Sequence, residues 1–486
     1  MRKALNPAIV QLQKSLTSTM KVNSHIFRAY DIRGIAQATE QFPEVDLTPE
    51  TCKLIGLGTG TYLQKISGKN LVVGRDNRLH SPDLQKAFIE GLLETGCDVT
   101  DIGISPSPML YYAVCKYGFD GGANITASHN PKEYNGIKIV SKDAHSVCGD
   151  DLQEVLAIIE SGEFAKGEGT LTEREIFEDY KNEIASKVQL PRPLKVVVDA
   201  GNGTAGAFAP ELLRALGCEV TELYCELDGN FPNHEANPEE YENMKDLIAK
   251  VKEIGADIGL GFDGDGDRVG VVDEKGHHYS ADFLLMLLAR DLLTRQPGAK
   301  IVFDVKVSLA LIDDIKKHGG EPVMCKTGHS FIESKMKEIG APLAGEVSGH
   351  LFFAENYYGF DDAFLGAAKL LEILSKSDVS FSHLFDDVMH TFMTPEFKAH
   401  TPDDRKFGIV RELTDYFTKN YDCSTLDGVR VNFSDNSWGA VRCSNTSPNL
   451  TLRFEADSEE KLAEIQEIMV EQLKKYPEVN LDWYKV

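Results

Sequence analysis

The sequence predicts an α/β protein in which three similar domains with mixed sheets precede a smaller C-terminal α+β domain, the four arranged around one central cleft. Three observations lead there. The chain of 486 residues is too long for one hydrophobic core. A unit of apolar runs and a helical stretch occurs three times. After about Ser380 that unit gives way to short alternating runs. The expected divisions are an N-terminal extension over 1–24 and domains over 25–172, 173–277, 278–385 and 386–486.

The extension carries Arg2 and Lys3, and Gln11, Gln13, Lys14 and Thr17 interrupt any apolar stretch. It reads as a helical or frayed segment and not as a signal peptide. Each repeated unit then opens on a β-branched run ending in Asp: Leu71-Val72-Val73-Gly74-Arg75-Asp76, Val196-Val197-Val198-Asp199 and Ile301-Val302-Phe303-Asp304. A stretch with helical spacing follows, as in Leu84, Phe88 and Leu92. A second apolar run comes next, at Gly96-Cys97-Asp98-Val99, Gly217-Cys218-Glu219-Val220 and Gly319-Gly320-Glu321-Pro322-Val323. The third run is Gly122-Ala123-Asn124-Ile125, Ala256-Asp257-Ile258-Gly259-Leu260 or Ala341-Pro342-Leu343-Ala344. Strands separated by helices imply crossover connections and sheets covered on both faces. In the last domain, Val429-Arg430-Val431 and Leu450-Thr451-Leu452-Arg453-Phe454 read as antiparallel strands, with a helix from Glu459 to Leu473.

Each third strand runs into a polar loop: Thr126-Ala127-Ser128-His129-Asn130-Pro131, Asp263-Gly264-Asp265-Gly266-Asp267-Arg268, and Gly345-Glu346-Val347-Ser348-Gly349-His350. Ligands of open α/β sheets sit beyond the carboxyl ends of strands, so these loops are the places to look for chemistry. The last domain offers a fourth, Arg442-Cys443-Ser444-Asn445-Thr446-Ser447-Pro448.

Asp263, Asp265 and Asp267 alternate with glycines. Neighbouring carboxylates at ~4 Å repel by roughly 4 kcal/mol per pair at an effective dielectric near 20, a cost that a divalent cation removes. Oxygen-only ligation points to Mg²⁺, Mn²⁺ or Ca²⁺. An EF-hand is excluded, although Glu274 stands at its twelfth position. Arg268 occupies the place of the required glycine, and both flanks read as strands. A solvated acidic turn rarely sits between two apolar strands. Arg268 is the local donor for phosphate oxygens.

Ser128 is followed by His129, and Pro131 keeps Asn130 out of helix. Tyr134-Asn135-Gly136-Ile137-Lys138 reads as a tight Asn-Gly turn that returns Lys138, a group able to stabilise an alkoxide or exchange a hydroxyl proton. The net charge of -25, without a Lys/Arg cluster, argues against nucleic acid and anionic membrane as partners. Nine scattered cysteines with no CxxC pair fit reduced thiols in the cytoplasm.

Several stretches together resemble the α-D-phosphohexomutases, and most closely their phosphomannomutase/phosphoglucomutase branch. They are Phe27-Arg28-Ala29-Tyr30-Asp31-Ile32-Arg33-Gly34, residues 126–138, 264–268, Lys326-Thr327-Gly328-His329-Ser330, residues 345–350 and 442–448. The resemblance spans nearly the whole chain from Phe27. It implies that Ser128 carries phosphate and that Asp263, Asp265 and Asp267 hold one Mg²⁺ per chain, with a phosphoserine oxygen as a further ligand. It implies active-site roles for Tyr30, Arg33, His129, Lys138 and Arg268, and substrate contacts from Lys306 and His329. Glu346 and Ser348 match the pair that bonds sugar hydroxyls. Arg442, Ser444, Asn445 and Thr446 match the clamp on the non-reacting phosphate, a site that also suits a dianion on its own chemistry. Val347 departs from the Met frequent in this branch. Ser-Asn-Thr-Ser-Pro in the clamp differs from the Ser-Gly-Thr-Glu-Pro usual in glucosamine mutases.

The implied reaction moves phosphate between C1 and C6 of mannose or glucose phosphate. It passes through a hexose 1,6-bisphosphate that turns over within the cleft. Lys138, or Arg33 with a nearby His, would handle the hydroxyl proton. A phosphoglucosamine mutase is the alternative within the family. A metal-dependent sugar phosphatase would need neither sugar loop nor clamp, and a mere binding protein would keep its function without Ser128. The oligomer expected is a monomer or weak homodimer.

Overall fold

In the first repeated unit the strand Asn70–Arg75 is central, paired in parallel with Asp98–Ile104 and Gly121–Ile125. Gly121–Ile125 then pairs antiparallel with Tyr134–Ser141, which pairs with Ile32–Ile35. The second unit repeats the plan. Lys195–Asp199 lies in parallel between Glu219–Leu223 and Ile258–Phe262, and Val269–Asp273 returns antiparallel. The third does so again, with Lys300–Asp304 between Glu321–Cys325 and Leu343–Gly345, and Leu351–Phe353 returning. The sheets are therefore mixed, as expected. Each polar loop is the hairpin between the third parallel strand and its antiparallel return. The computed structural model describes residues 22–444 and 447–485. All but the last three residues of the expected extension lie outside the described residues, as do Asn445 and Thr446.

The central strands are apolar because helices cover both faces: Val72, Val73, Val196, Val197, Val198, Ile301 and Val302 are all fully buried. In the first sheet the helices Pro49–Ile66 and Ser81–Glu94 touch backbone to backbone, and a Cβ on Gly56 would stand 2.2 Å from the Phe88 carbonyl oxygen. Thr48 and Thr51 close the first of these helices with a capping box.

The chain forms two compact units, one of residues up to Ser105 with Ala113–Glu175, the other of Pro106–Tyr112 and all residues from Ile176. The first unit holds the first sheet. The second holds the other two repeats and an antiparallel C-terminal sheet ordered Phe392–Met393, Asn449–Ala456, Ser437–Cys443, Val429–Ser434, Asp422–Ser424. Phe397–His400 also pairs with Asn449–Ala456. Asp403–Asn420 and Glu459–Leu473 cover one face of this sheet, around Val431, Val441, Leu452, Phe454 and Met469. No helix among the described residues is long and apolar enough to cross a membrane.

One expectation is corrected. Asn135-Gly136 is not a turn but lies inside the strand Tyr134–Ser141, and the chain reverses before it, over residues 128–133. The dipeptide serves close packing instead. A Cβ on Gly136 would be 2.3 Å from the Ile32 carbonyl oxygen and 2.7 Å from that of Thr126. The buried Asn135 amide bonds the Ser81 hydroxyl at 2.9 Å.

Candidate active site

The serine loop belongs to the first unit. Ser128 is buried and has a φ of 50°, a left-handed conformation that a residue with a Cβ adopts only when its surroundings enforce it. Two arginines do so. Arg33, from Ile32–Ile35, donates to the Ala127 carbonyl at 2.9 Å and to Asn130 Oδ1 at 2.6 Å, while Asp31 holds its other edge at 2.8 Å. Arg78 donates to the carbonyls of Ser128, Asn130, Pro131 and Tyr134 at 2.8, 2.6, 2.7 and 3.1 Å. Its own charge is balanced by Asp76 at 3.0 Å, and both side chains are almost fully buried. The Ser128 amide donates to Thr126 Oγ1 at 2.9 Å, and Ser128 Oγ lies 3.2 Å from His129 Nδ1. Lys138 is buried on the return strand opposite Asn124. Tyr30 is half-buried in the bend before Ile32–Ile35.

In the second unit Asp263, Asp265 and Asp267 are fully buried, and each offers an oxygen within 4.8 Å of the others. Asp263 Oδ1 accepts from the Asp267 and Arg268 amides at 3.0 and 3.1 Å, which winds the loop around that carboxylate. Ser107 donates from Oγ to Asp265 Oδ2 at 2.6 Å and from its amide to the Asp265 carbonyl. Gly266 has a φ of 70°, and a Cβ there would meet the Phe364 ring at 2.9 Å. Three buried carboxylates in one turn need opposing charge, and an all-oxygen set suits a hard divalent cation. Glu274 instead accepts from the hydroxyls of Ser380 and Ser382, each at 2.6 Å, away from any EF-hand role.

Beside this turn stands a buried relay that motif reading passes over. The Arg268 Nε–H donates to His350 Nε2 at 3.0 Å, and His350 Nδ1 lies 2.6 Å from Asp361 Oδ2. An arginine Nε always donates, so His350 accepts through Nε2 and carries its proton on Nδ1, toward Asp361. His350 stacks on His329 with ring centroids 5.7 Å apart. Glu346 accepts from the Gly328 amide at 2.5 Å. Burial pushes its carboxyl up to about 7, and the nearby Asp304 carboxylate adds to the rise. Ser348 lines a cavity of about 460 Å³ together with Val347, Glu396, Lys398 and Arg453.

Lys306 is 5% exposed and meets Glu396 at 2.5 Å and Asp304 at 3.8 Å. Burial works against its ammonium, yet these carboxylates hold its pKa above the usual lysine value. Arg442 donates from Nε to Asp427 Oδ2 at 2.6 Å. Ser444 Oγ is 2.8 Å from Ser447 Oγ, and buried Lys406 donates to the carbonyls of Ser444 and Ser447 at 2.7 and 2.9 Å. The second unit thus contains Arg268, His329, Glu346, Ser348, Lys306, Arg442 and Ser444. Arg78, Lys406, His350, Asp361, Glu396 and Asp427 are additions to the expected set. Of these, Arg78 had a readable signal: it follows Asp76 at the carboxyl end of a central strand.

Four family profiles match the chain in order. They are phosphoglucomutase/phosphomannomutase alpha/beta/alpha domain I over residues 24–166, domain II over 177–276, domain III over 280–392, and the C-terminal domain over 396–472. The chain is 48% identical over 450 residues to the phosphomannomutase/phosphoglucomutase of Pseudomonas aeruginosa, covering 92% of this chain and 95% of that one. It is 44% identical over 450 residues to a phosphoglucomutase of Neisseria gonorrhoeae, covering 92% and 96%. A crystal structure of a phosphoglucomutase/phosphomannomutase family protein from Burkholderia thailandensis superposes with a TM-score of 0.87 at 40% identity, covering 95% of this chain and 99% of that one.

Proposed function

The chain belongs to the phosphoglucomutase/phosphomannomutase family and is a phosphohexomutase, an isomerase; on that premise we propose that Ser128 carries the phosphoryl group between C1 and C6 of mannose and glucose phosphates. The observation that supports this best is topological. Three chemically distinct loops, one with a serine, one with three buried carboxylates and one with Glu346 and Ser348, occupy the same hairpin of three similar sheets.

In this reading the phosphoserine gives its phosphoryl group to the free hydroxyl of a bound hexose phosphate. The P–O bond to Ser128 breaks, a P–O bond to the sugar forms, and a hexose 1,6-bisphosphate results. The hydroxyl proton leaves to the neutral amine of Lys138, or to the imidazole of His129 with Arg33 staying a cation that lends positive charge, and the departing Ser128 Oγ takes up a proton in exchange. The bisphosphate reorients and returns its other phosphate to Ser128. Asp263, Asp265 and Asp267 would hold a Mg²⁺ that lends positive charge to the phosphoryl oxygens. Glu346 and Ser348 accept from and donate to sugar hydroxyls. Lys306 and His329 touch the substrate, and Arg442, Ser444, Asn445 and Thr446 bind the phosphate that stays behind. Positioning of this kind supplies up to about 7–11 kcal/mol of the barrier reduction. The domain boundaries given above, a cytoplasmic location and a monomeric or weakly dimeric state complete the proposal.

The test is a set of initial rates on mannose 1-phosphate, glucose 1-phosphate and glucosamine 1-phosphate, with free phosphate measured in parallel. The first two should isomerise at comparable rates, the third at least about tenfold slower, the loss typical of a missing hydrogen-bond match. Release of phosphate in place of isomer would assign a phosphatase. Ser128→Ala should abolish turnover while glucose 1-phosphate still binds.

A further inference from the structure

The strands Phe392–Met393 and Phe397–His400 pair with the same neighbour, Asn449–Ala456. Met393 faces Glu455 and Phe397 faces Leu452, so the three residues 394–396 stand against two, Arg453 and Phe454. The extra residue is a β-bulge, and Pro395, which has no N–H to pair, is at home in it. A bulge re-aims a side chain out of the regular ladder. Here it presents Glu396, whose carboxylate meets Lys306 Nζ at 2.5 Å. Lys306 follows the central strand Lys300–Asp304 of the third repeat, so the pair joins two sheets of one compact unit. Glu396 also lines the cavity that Ser348 lines.

Resting on the assignment of Lys306 to the substrate, we propose that Glu396 is a resident counter-ion that competes with the hexose phosphate for this lysine and so keeps substrate and product loosely held. The anionic substrate must share or take the Lys306 ammonium from a carboxylate already on it. Removing the carboxylate charge while keeping the lysine strengthens binding of the anion and slows departure of the product. Removing the lysine has the opposite effect on binding.

The experiment is a double-mutant cycle on the full, magnesium-loaded enzyme with glucose 1-phosphate. Glu396→Gln should lower KM about three- to tenfold and lower kcat with it, leaving kcat/KM within about threefold. Lys306→Met should raise KM at least about tenfold, and Glu396→Gln should have no effect on KM in the Lys306→Met background. A KM that is unchanged or raised by Glu396→Gln, or the same effect in both backgrounds, overturns the proposal and leaves the assignment of Lys306 standing. An unchanged KM in Lys306→Met removes that assignment and the proposal with it. Should Glu396→Gln not fold, Glu396→Asp withdraws the charge by one methylene and should lower KM by a smaller factor; no fall there overturns the proposal equally.

Discussion

Ser128, at a φ of 50°, is a residue whose backbone conformation has to be imposed. The left-handed region costs a residue with a Cβ roughly 1–2 kcal/mol, and four hydrogen bonds from Arg78 to loop carbonyls oppose relaxation. Arg78→Ala should therefore cut kcat about 10²-fold or more with little change in KM, because a slightly misplaced nucleophile loses rate before affinity. Millimolar guanidinium should restore part of the loss, a rescue that general destabilisation would not show. A Ser beside a His is by itself an ordinary polar loop, and Ser128 is singled out by its place after the third strand, equivalent to that of the acidic loop, and by the family resemblance. Arg78 has a readable place beyond a central strand, but the Ser128 carbonyl it holds is 50 residues away, and Lys406 reaches the Ser444 carbonyl from 38 residues away, so neither partner shows in a local pattern. The resemblance picks out Glu346 as a sugar contact, a role proposed above, but its protonation depends on burial and shows in no motif. With its carboxyl raised to about 7 by desolvation, Glu346 is partly protonated at neutral pH. Only the ionised form accepts two hydroxyl hydrogens, so KM for glucose 1-phosphate should fall as pH rises through about 7. The substrate phosphate titrates nearby, near about 6, so Glu346→Gln is the control and should remove the later limb. The same shift has a stability consequence of fixed sign. A folded pKa above the unfolded value contributes stability below about 4.5, and that contribution declines between there and about 7.

At the scale of elements, the repeated strands and the C-terminal helix could be read from periodicity and the polar loops from composition, while the antiparallel return that makes each loop a hairpin comes from the pairing. The exception, Asn135-Gly136, has the composition of a turn but the role of a close-packed strand, and only the neighbouring carbonyls of Ile32 and Thr126 decide between the two. The C-terminal sheet conceals more. Alternation in Asn449–Ala456 correctly puts Leu450, Leu452 and Phe454 in the core, but Thr451, Arg453 and Glu455 on the other face are buried as well. That face packs on the third repeat through polar groups, which no hydropathy pattern records. Arg453 donates to the Lys306 carbonyl at 3.0 Å and Arg430 to those of Val305 and Val307. Glu455 accepts from Ser308 Oγ, the Leu309 amide, Trp438 Nε1 and Thr391 Oγ1 at 2.5–2.8 Å. Arg430 stacks on Trp438, 3.7 Å from the ring centroid, and burial pushes its guanidinium down to about 10. Glu455→Ala would leave four donors and the buried Arg430 cation short of one carboxylate. It should cost about 3–5 kcal/mol in urea unfolding, and a loss below about 1 kcal/mol would mean that water replaces the carboxylate readily.

For the whole molecule, the decisive quantity is charge. An excess of 25 acidic groups opposes the compact state through self-repulsion, and the most concentrated part of it is buried in one turn. Three carboxylates with oxygens within 4.8 Å of one another repel by about 3–4 kcal/mol per pair at an effective dielectric near 20. Arg268 offsets part of this from 4.0 Å off Asp267, and Ser107 and backbone amides offset more. The metal-free protein should thus be the less stable form, and a cation that binds only the folded state should stabilise it by about 2.7 kcal/mol at a hundredfold excess over Kd. Scanning calorimetry after chelation, with Mg²⁺ then added back, should show Tm rising with the logarithm of free Mg²⁺. Added NaCl should also raise Tm, but without that saturable dependence, because it screens the surface field and reaches buried charges poorly. Asp265→Asn separates the two effects. The amide oxygen can still accept from Ser107, one charge leaves the turn, and the metal-free Tm should increase while its response to Mg²⁺ disappears. If Asp265→Asn instead lowers the metal-free Tm and keeps a full Mg²⁺ response, the turn is stabilised by its hydrogen bonds alone and the cation binds elsewhere.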